Sequence, residues 1–494
     1  MYKEALLDLS EQENVRLIKI LFIAGGYMHR EELFRKLGIH NKTLQRRVQS
    51  INETFQRLGH PHVIYYDEEK EQYHIQVQKV SLNLNRLTYT YLEESTNFQI
   101  LDAIWTQSSP TTESLTQQLF ISRSEYYRRL HFLNEWLQSF DIKIYKNQFI
   151  GEEWQIRFFA YQLYSKIHPQ HFLYDRTITE SQHQVIEALE DAWQISWNQV
   201  QRQRLALWLS LSLQHQGKTS TYEVPASFCQ HGKAVNHHLG ANFPKNALEK
   251  YFEGSNNLDF EQQALICFCT IFPFFPEGHP LPRKILEEVE SDHSNLIVKL
   301  SHHLLRTFRE GANDDMPFLA LPDAWYWYTS LGHTLWIKGT IYYFDKETTE
   351  FYMEANYRYI NVKKIIRETL QQPDFAVTAW PRNQWLLIHK CALFVYKHRD
   401  LFNTPLRIGV FLHADTLIVD IYLNHLKYEL LKNLYISVEP YQETEDYDLI
   451  ITNLAFPIQA HTQIYFLTDV GNPQEEQAVH ALVQGILVNQ RSNG

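Results

Sequence analysis

The feature that most constrains this chain is an internal repeat near its N-terminus. Placing Arg46 on Arg128, 82 positions further along, also brings Arg47 onto Arg129. Further aligned pairs are Asn52 with Asn134, Leu33 with Leu115, Leu37 with Leu119, Ile39 with Ile121, Val48 with Leu130, Ile51 with Leu133, Ile18 with Ile100, and Phe22 with Ile104. Polar and apolar positions that recur in register indicate one fold used twice. We therefore predict two similar domains, at residues 1–80 and 81–170.

Each copy has the pattern of helices followed by a β-hairpin. The helices predicted in the first copy are Asn14–Ala24, Arg30–Leu37 and Asn41–Gly59. The run VIYYDEEKEQYHIQV that follows predicts two strands around an acidic turn. In the second copy, Ser114–Phe120 precedes the helix Ile121–Phe140, and a hairpin is predicted around Lys146 and Asn147. This order of elements is typical of a winged helix-turn-helix.

The helix Ile121–Phe140 has an apolar stripe and a polar face. Its apolar stripe consists of Tyr126, Leu130, Leu133, Leu137 and Phe140. Ser124, Arg128 and His131 lie opposite, with Arg129 at the flank. Arginine can bond guanine through two hydrogen bonds, and glutamine can do the same with adenine. A merely solvated face is the alternative, but the repeated arginine pair favours DNA binding.

The predicted DNA contacts lie on both third helices and on the second hairpin. They are Lys42, Thr43, Gln45, Arg46, Arg47, Gln49, Arg123, Ser124, Tyr127, Arg128, Arg129, His131, Lys143 and Lys146. The two hairpins differ in charge, because the acidic turn at 67–71 would repel phosphate, whereas Lys143 and Lys146 would attract it. We therefore expect the second copy to be the main DNA anchor and the first copy to assist it.

Composition places the chain among globular proteins with several domains. Its 494 residues are 44% hydrophobic, which is ample for packed cores. The net charge of −11 argues against indiscriminate nucleic-acid binding, but it leaves room for a local basic patch. No apolar run is long enough to span a membrane, and the N-terminus lacks the apolar segment of a signal peptide. A cytoplasmic protein with reduced cysteines is expected.

The central region reads as helical almost throughout, which predicts two all-α bundles at residues 171–288 and 289–402. An amphipathic helix, Trp154–Tyr164, is expected to join them to the DNA-reading part. The other predicted helices are Ser181–Trp193, Gln199–Gln214, Phe260–Phe272, Ser291–Arg309, Asp323–Leu335, Phe351–Leu370 and Asn383–His398. Histidines are frequent here, but the adjacent pairs His237-His238 and His302-His303 are expected to point to different helix faces. No metal, cofactor or enzymatic activity is predicted, since no catalytic motif is present.

The last segment, residues 403–494, changes to alternating strands and helices. The predicted elements are Leu406–Leu412, Thr416–Leu434, Tyr435–Val438, Leu449–Thr452, Ile464–Thr468 and Glu475–Asn489. This alternation predicts a small α/β domain with a mainly parallel sheet. The loop at His413, where such sheets bind ligands, contains no glycine and is poorly suited to phosphate.

Three stretches carry a resemblance to a known family. They are SRSEYYRRLHFLNEWL, FIGEEWQIRFFAYQLY and DYDLIITN. On these the chain resembles the Mga/AtxA family of virulence regulators in Gram-positive bacteria. The resemblance implies that the bundles are PTS regulation domains (PRDs), whose histidines are phosphorylated by the sugar phosphotransferase system. It also implies an EIIB-like final domain that supports a homodimer. His215, His333 and His389 are the candidate phosphorylation sites.

The resulting prediction is a cytoplasmic, DNA-binding transcriptional activator that dimerises and is controlled by phosphorylation. Its expected partners are double-stranded promoter DNA, a second copy, phosphotransferase carrier proteins and RNA polymerase, and no membrane. An RNA-binding antiterminator is one alternative, although such proteins begin with a small β domain. A phosphotransferase component is another. It is disfavoured because Leu412, His413 and Ala414 occupy the place of the EIIB phosphate-accepting cysteine.

Overall fold

The structure is a computed structural model in which the chain divides into two compact units. The first comprises residues 1–304, 316–350 and 365–390, and the second comprises 305–315, 351–364 and 391–494. The described residues are 3–59, 63–76, 84–167, 177–218, 223–255, 257–309, 317–341, 357–376, 380, 383–402, 406–431, 436–454, 462–468 and 472–492. The predicted domain limits at residues 80, 81, 170, 171 and 403 lie outside them. The described chain is mostly helical.

The first copy of the repeat combines three helices with a three-stranded sheet. Its elements are α1 (Leu9–Ile23), β1 (Tyr27–His29), α2 (Arg30–Leu37), α3 (Asn41–Arg57), β2 (Ile64–Asp67) and β3 (Gln72–Ile75). Both strand pairs are antiparallel, in the order β1–β3–β2. The predicted bounds of α2 are confirmed. Helix α1 starts earlier than predicted, because Glu11 accepts a hydrogen bond from the Asp8 N–H at 3.1 Å in an N-terminal cap.

The second copy repeats the order of helices and hairpin. Its elements are α4 (Leu84–Glu94), α5 (Thr96–Thr106), α6 (Thr112–Gln118), α7 (Arg123–Leu137), β4 (Lys143–Tyr145) and β5 (Gln148–Ile150). Strands β4 and β5 pair antiparallel and form a two-stranded sheet. A turn of 3-10 helix, Gln138–Phe140, extends α7 to the predicted end. Helix α4 was not predicted from the sequence.

The alignment between the copies holds for packing and for hydrogen bonds. Core positions that are fully buried in both copies are Ile18 and Ile100, Leu33 and Leu115, and Ile51 and Leu133. Asn52 bonds both backbone groups of Ile64, at 2.7 and 2.9 Å. Its counterpart Asn134 bonds both backbone groups of Ile144, at 3.2 and 2.6 Å. Each asparagine thereby attaches the hairpin to the third helix, so the repeat is one of structure.

Helix α8 (Glu153–Ile167) follows β5 and is buried at nearly every position. The prediction of an amphipathic helix at Trp154–Tyr164 was wrong in this respect, because the helix buries polar residues such as Arg157 and Gln162 as well as its apolar ones. Phe159 packs against Phe140 with ring centroids 5.1 Å apart. On the other side Trp154 packs against Trp208 at 5.1 Å. Helix α8 therefore joins the second copy to the helical region.

The helical region contains thirteen further described helices. They are α9 (Glu180–Trp193), α10 (Gln199–His215), α11 (Ala226–His231), α12 (Lys233–Ala241), α13 (Lys245–Tyr251), α14 (Leu258–Ile271), α15 (Pro280–Ser291), α16 (Leu296–Phe308), α17 (Ala324–Trp336), α18 (Tyr357–Thr369), α19 (Pro373–Ala376), α20 (Gln384–Lys397) and α21 (Arg399–Phe402). The helices missed are α11, α12, α13, α15, α19 and α21. Helix α15 begins at Pro280, because proline fits the first helical position. Helix α15 also contains residues 288 and 289, where the boundary between the two bundles was predicted. Residues 351–356 of the predicted helix Phe351–Leu370 lie outside the described residues.

The C-terminal segment is a small α/β fold with a parallel sheet, as predicted. Its elements are β6 (Leu406–Phe411), α22 (Thr416–Leu431), β7 (Ile436–Pro440), β8 (Leu449–Thr452), β9 (Gln463–Phe466) and α23 (Pro473–Ser492). The sheet order is β7–β6–β8–β9, and all three pairings are parallel. Its core includes Ile408 and Ile451 from the sheet and Val479 from α23. The predicted bounds of β8 are confirmed.

Candidate nucleic-acid interface

The turn before each third helix uses a left-handed residue at the same aligned position. Gly38 has φ +68° in the first copy, and Phe120 has φ +53° in the second. A left-handed conformation costs glycine nothing, but it is strained for phenylalanine. The Phe120 side chain is 95% exposed, so packing does not compensate the strain. Ser122 then caps α7 by accepting a hydrogen bond from the Glu125 N–H at 3.1 Å.

Helix α7 buries one face and exposes the other, as its sequence pattern predicts. Tyr126, Leu133 and Leu137 are fully buried. The exposed residues among the predicted contacts in this copy are Arg123, Ser124, Tyr127, Arg128, His131, Lys143 and Lys146. These side chains come from α7 and from the hairpin β4–β5, which we call the second wing. A helix with such a face can enter the major groove of duplex DNA.

The two arginines of α7 have different surroundings. The Arg128 side chain is 70% exposed, whereas that of Arg129 is 12% exposed. Arg129 bonds Glu125 at 2.6 Å, Asp8 at 3.1 Å and Asn97 at 3.3 Å. Successive helical residues point about 100° apart, and here Arg128 points to solvent while Arg129 points toward Asp8 and Asn97. Arg129 therefore ties α7 to the helices behind it.

The first copy divides its arginine pair in the same way. Arg46 is exposed. The Arg47 side chain is 12% exposed, ion-pairs with Glu13 and donates to the Ser10 carbonyl at 2.9 Å. Arg47 and Arg129, both predicted as DNA contacts, thus lie with the residues that hold each third helix in place. We therefore leave Arg47 and Arg129 out of the proposed DNA contacts.

Acidic side chains pair with the exposed cations of the second copy. Glu125 accepts two hydrogen bonds from Arg128, at 2.6 and 2.8 Å, and one from Arg129. The bonds from Arg128 lower the pKa of Glu125 to about 2, with Arg129 adding to this effect, so the carboxylate is charged at neutral pH. Arg123 pairs with Glu113, and His131 lies 3.3 Å from Glu135. A phosphate or a base must therefore compete with these carboxylates.

The second wing is anchored to α7 through its turn. Lys146 and Asn147 both have left-handed φ values, +50° and +57°, as a two-residue hairpin turn requires. Asn147 is buried and accepts a hydrogen bond from the Tyr126 hydroxyl at 2.6 Å. Its amide donates to the Pro110 carbonyl at 3.0 Å. Sequence reasoning identified the turn but missed this anchor, which leaves Lys146 exposed beside α7.

The first copy presents free cations on its helix and an acidic hairpin, β2–β3. Lys42, Gln45, Arg46 and Gln49 are exposed, and Thr43 is half-buried. Among the described residues, Lys42 and Arg46 have no ion-pair partner. Asp67 organises the hairpin turn by accepting from the N–H groups of Glu69 and Lys70. The two copies therefore differ: the first has unpaired cations on its third helix, whereas the second has cations on its wing.

Direct contacts fix the two copies to each other. The Ser95 hydroxyl and the Asn97 amide both donate to the Leu6 carbonyl, at 2.7 and 2.9 Å. Arg57 at the end of α3 pairs with Glu94 at 2.6 Å. The ion pair from Arg129 to Asp8 joins α7 to the start of α1. These contacts consequently fix the position of the exposed face of α3 relative to that of α7.

A segment after α17, residues 338–341, lies along α8, and we call it the strap. The Gln155 side chain bonds both backbone groups of Lys338, at 2.7 and 3.0 Å. Further along α8, Gln162 accepts from the Ile341 N–H at 2.8 Å. These bonds attach the strap to α8 along its length.

The strap also contacts the end of α7. The Lys338 ammonium lies 2.6 Å from Asp141. A methyl group added at Gly339, which has φ +73°, would lie 2.9 Å from the Phe140 ring and from the Ser139 carbonyl oxygen. Only glycine permits this approach. The helical region is therefore in direct contact with the second copy.

The three predicted phosphorylation sites differ in access. His215 is buried, its Nδ1 lies 2.8 Å from a Glu153 oxygen, and its ring stacks on Trp105 at 4.6 Å. His333 is also buried, and burial lowers its pKa well below the usual range. His389 is half-buried, and burial lowers its pKa to about 4. A phosphocarrier protein would reach His389 most readily of the three.

The adjacent histidines of α12 do not diverge as predicted. The ring centroids of His237 and His238 are 4.9 Å apart. Both side chains reach the same carboxylate, that of Glu288 on α15. Two imidazoles and one carboxylate are groups that could hold a metal ion.

Helices α6 and α7, the turn between them and the wing that follows are the elements of a winged helix-turn-helix protein. Residues 80–164, which contain α4 to α7, the second wing and most of α8, match the Mga helix-turn-helix domain. Over 164 residues the chain is 23% identical to a protein of Streptococcus pneumoniae serotype 4 described as "Putative trans-acting regulator". That match covers 33% of this chain and 32% of the relative. The two matches support a relationship between this chain and the Mga family of regulators.

No helix in the described residues is both long and apolar enough to cross a membrane.

Proposed function

We propose that the protein is a DNA-binding transcriptional regulator that reads duplex DNA with α7 and the second wing. The observation that carries the proposal is the exposed face of α7 beside a wing held by the Tyr126–Asn147 bond. Arg128 is placed to reach a base edge, while Lys143 and Lys146 are placed to reach phosphates. The Mga domain match over residues 80–164 supports this use of the copy.

Binding requires Arg128 to exchange its partner. Glu125 also accepts from Arg129, so its charge stays neutralised when Arg128 turns to DNA. The exchange replaces a solvent-exposed ion pair, which contributes little to stability, with a two-hydrogen-bond contact to guanine. The carboxylate thereby holds Arg128 in place without preventing its use.

Helix α3 assists as a second reader. Lys42 and Arg46 are exposed and unpaired among the described residues, and Gln45 and Gln49 lie on the same face. The acidic turn of its hairpin makes that hairpin the poorer phosphate contact. The second copy is thus the main anchor in this proposal.

The regulator is proposed to act as a homodimer through its C-terminal α/β segment. Leu417, Ile421 and Tyr428 of α22 are more than half exposed and follow helical spacing. A second copy would remove this apolar stripe from water. Sedimentation analysis of Ile421→Asp should show monomer, with Glu443→Lys, an exposed change in the same segment, as the control. A dimeric Ile421→Asp would contradict the use of this surface.

Regulation is proposed to act by phosphorylation of His389 within a PRD-type bundle. The ring is neutral at pH 7, because its pKa is about 4, so a nitrogen lone pair can accept phosphate. The activator role and the contact with RNA polymerase follow the resemblance to Mga-type regulators. Mass spectrometry after incubation with the general phosphotransferase proteins should locate phosphate on His389. Phosphate on His215 or His333 alone would contradict this choice.

The DNA-binding proposal is tested by selecting sequences from a randomised duplex library with the full chain. The affinity for the selected duplex should fall linearly with salt on logarithmic axes. The double variant Lys143→Gln/Lys146→Gln should reduce the slope by about 2, whereas Lys245→Gln/Lys250→Gln on α13 should leave it unchanged. A matching RNA hairpin tests the antiterminator alternative. No enriched duplex, or preference for RNA, would overturn the proposal.

A further inference from the structure

Three side chains on α12 and α15 converge outside the nucleic-acid interface. They are His237, His238 and Glu288, and their donor atoms all lie within 4.8 Å of one another. We propose that they form a binding site for a divalent transition-metal ion of the zinc type. The ion would connect α12 to α15 within the helical region.

The distances suit a shared ion. His237 Nδ1 lies 3.1 Å from Glu288 Oε2, and His238 Nε2 lies 2.9 Å from the same oxygen. Zinc binds nitrogen and oxygen at about 2.0–2.2 Å in a tetrahedral arrangement, which sets neighbouring ligand atoms about 3.4 Å apart. The side chains therefore need only small rotations to coordinate an ion.

The His238 nitrogen provides a second observation. It is buried from solvent and has no hydrogen-bond partner in the described chain, although a carboxylate oxygen is 2.9 Å away. The contact thus has the distance of a hydrogen bond without its geometry. A buried polar atom without a partner is destabilising. An ion bound by this nitrogen supplies the missing partner.

The donor set selects the class of metal. Two imidazole nitrogens and one carboxylate oxygen suit zinc and its neighbours, whereas calcium and magnesium prefer oxygen ligands alone. The His237 side chain is 69% exposed, so water can complete the coordination. Two of the ligands come from a single helix turn and the third from a neighbouring helix. Such an ion stabilises helix packing and has no need of a catalytic role.

The test uses the full chain without an affinity tag, stripped of metal by a chelator. Titration calorimetry with Zn²⁺ and visible absorption with Co²⁺ should show one ion per chain. His238→Ala and Glu288→Gln should each weaken binding by at least about tenfold. His293→Ala, at an exposed histidine outside the cluster, should bind as the wild type does.

Thermal unfolding separates metal binding from misfolding. Without metal all the variants should unfold cooperatively, and Zn²⁺ should raise the Tm of the wild type and of His293→Ala but not the Tm of His238→Ala or Glu288→Gln. Failure of the wild type to bind Zn²⁺ or Co²⁺ would overturn the site. The site would also be overturned if His238→Ala and Glu288→Gln both bound Zn²⁺ as tightly as the wild type does. It would be overturned likewise if His293→Ala lost as much Zn²⁺ affinity as these two variants.

Discussion

Arg128 and Arg129 show how far a residue's role depends on one step along a helix. Both recur at the aligned positions Arg46 and Arg47, so the repeat alone marks all four equally. The structure gives the second of each pair to internal ion pairs and leaves the first exposed. The sequence pattern predicts which residues form the buried stripe of each helix. Whether the second arginine of each pair is exposed depends on where α1 and α5 pack, which the pattern does not show.

Glu11, at the contact between the copies, provides a pH-dependent test. Burial raises its pKa to about 7, and the charges of Asp8 and Glu94 add to the rise. Because the pKa in the folded state exceeds that in the unfolded state, about 4.3, the contribution of Glu11 to stability is present at low pH. It is lost as the pH rises through 7.

The variant Glu11→Gln keeps the helix cap without the charge. The wild type should therefore lose Tm relative to Glu11→Gln between about pH 5 and pH 8. Glu249→Gln, at an exposed carboxylate, is the control. A constant Tm difference across this range would contradict the assignment.

At the scale of elements, most of the long helices and the C-terminal strands were predicted, whereas several short helices were missed together with the longer helices α4 and α15. The bounds of α2 and β8 match the prediction. Helices α11 to α13 have six, nine and seven residues, which is too short for a clear apolar period. The strap was also missed, because its contacts join positions more than 170 residues apart.

The turns before α3 and α7 allow a reciprocal test. Phe120→Gly should raise the free energy of unfolding by about 0.5–1 kcal/mol, since strain relief exceeds the added entropy of the unfolded chain. Gly38→Ala should lower it by about 1 kcal/mol, because the site is open and only the backbone conformation resists. Denaturant titration measures both changes. The same sign in both variants would be inconsistent with a shared left-handed turn.

The strap is tested at its closest approach. Gly339→Ala should destabilise the first unit by about 2–3 kcal/mol and weaken DNA binding, because the methyl group meets Phe140 and the Ser139 carbonyl. Gly254→Ala is the matched control. It has a similar φ of +79° but open space, so it should cost about 1 kcal/mol and leave DNA binding unchanged. Equal effects of the two variants would show that the strap does not position α7.

At the scale of the molecule, α8 packs against both the second copy and the helical region within the first unit. Arg157 is fully buried and bonds Glu261 at 2.6 and 2.9 Å, and it ion-pairs with Glu153. Glu153 in turn contacts His215 at the end of α10. These contacts form a continuous polar network from Glu261 on α14 through α8 to His215 on α10. The prediction of an amphipathic linking helix missed this network, because the sequence shows Glu153 and Arg157 as charged residues but not that both are buried against distant partners.

The central claim is that α7 reads DNA with Arg128 while Arg129 holds the helix in place. Fluorescence anisotropy with the selected duplex, combined with Tm, measures both roles in the full chain. Arg128→Ala should weaken binding by about tenfold or more at unchanged Tm. Arg129→Ala should lower Tm, because Glu125 and Asp8 lose their shared partner, and Arg283→Ala should change neither quantity. Unchanged affinity in Arg128→Ala, at the Tm of the wild type, would contradict the account.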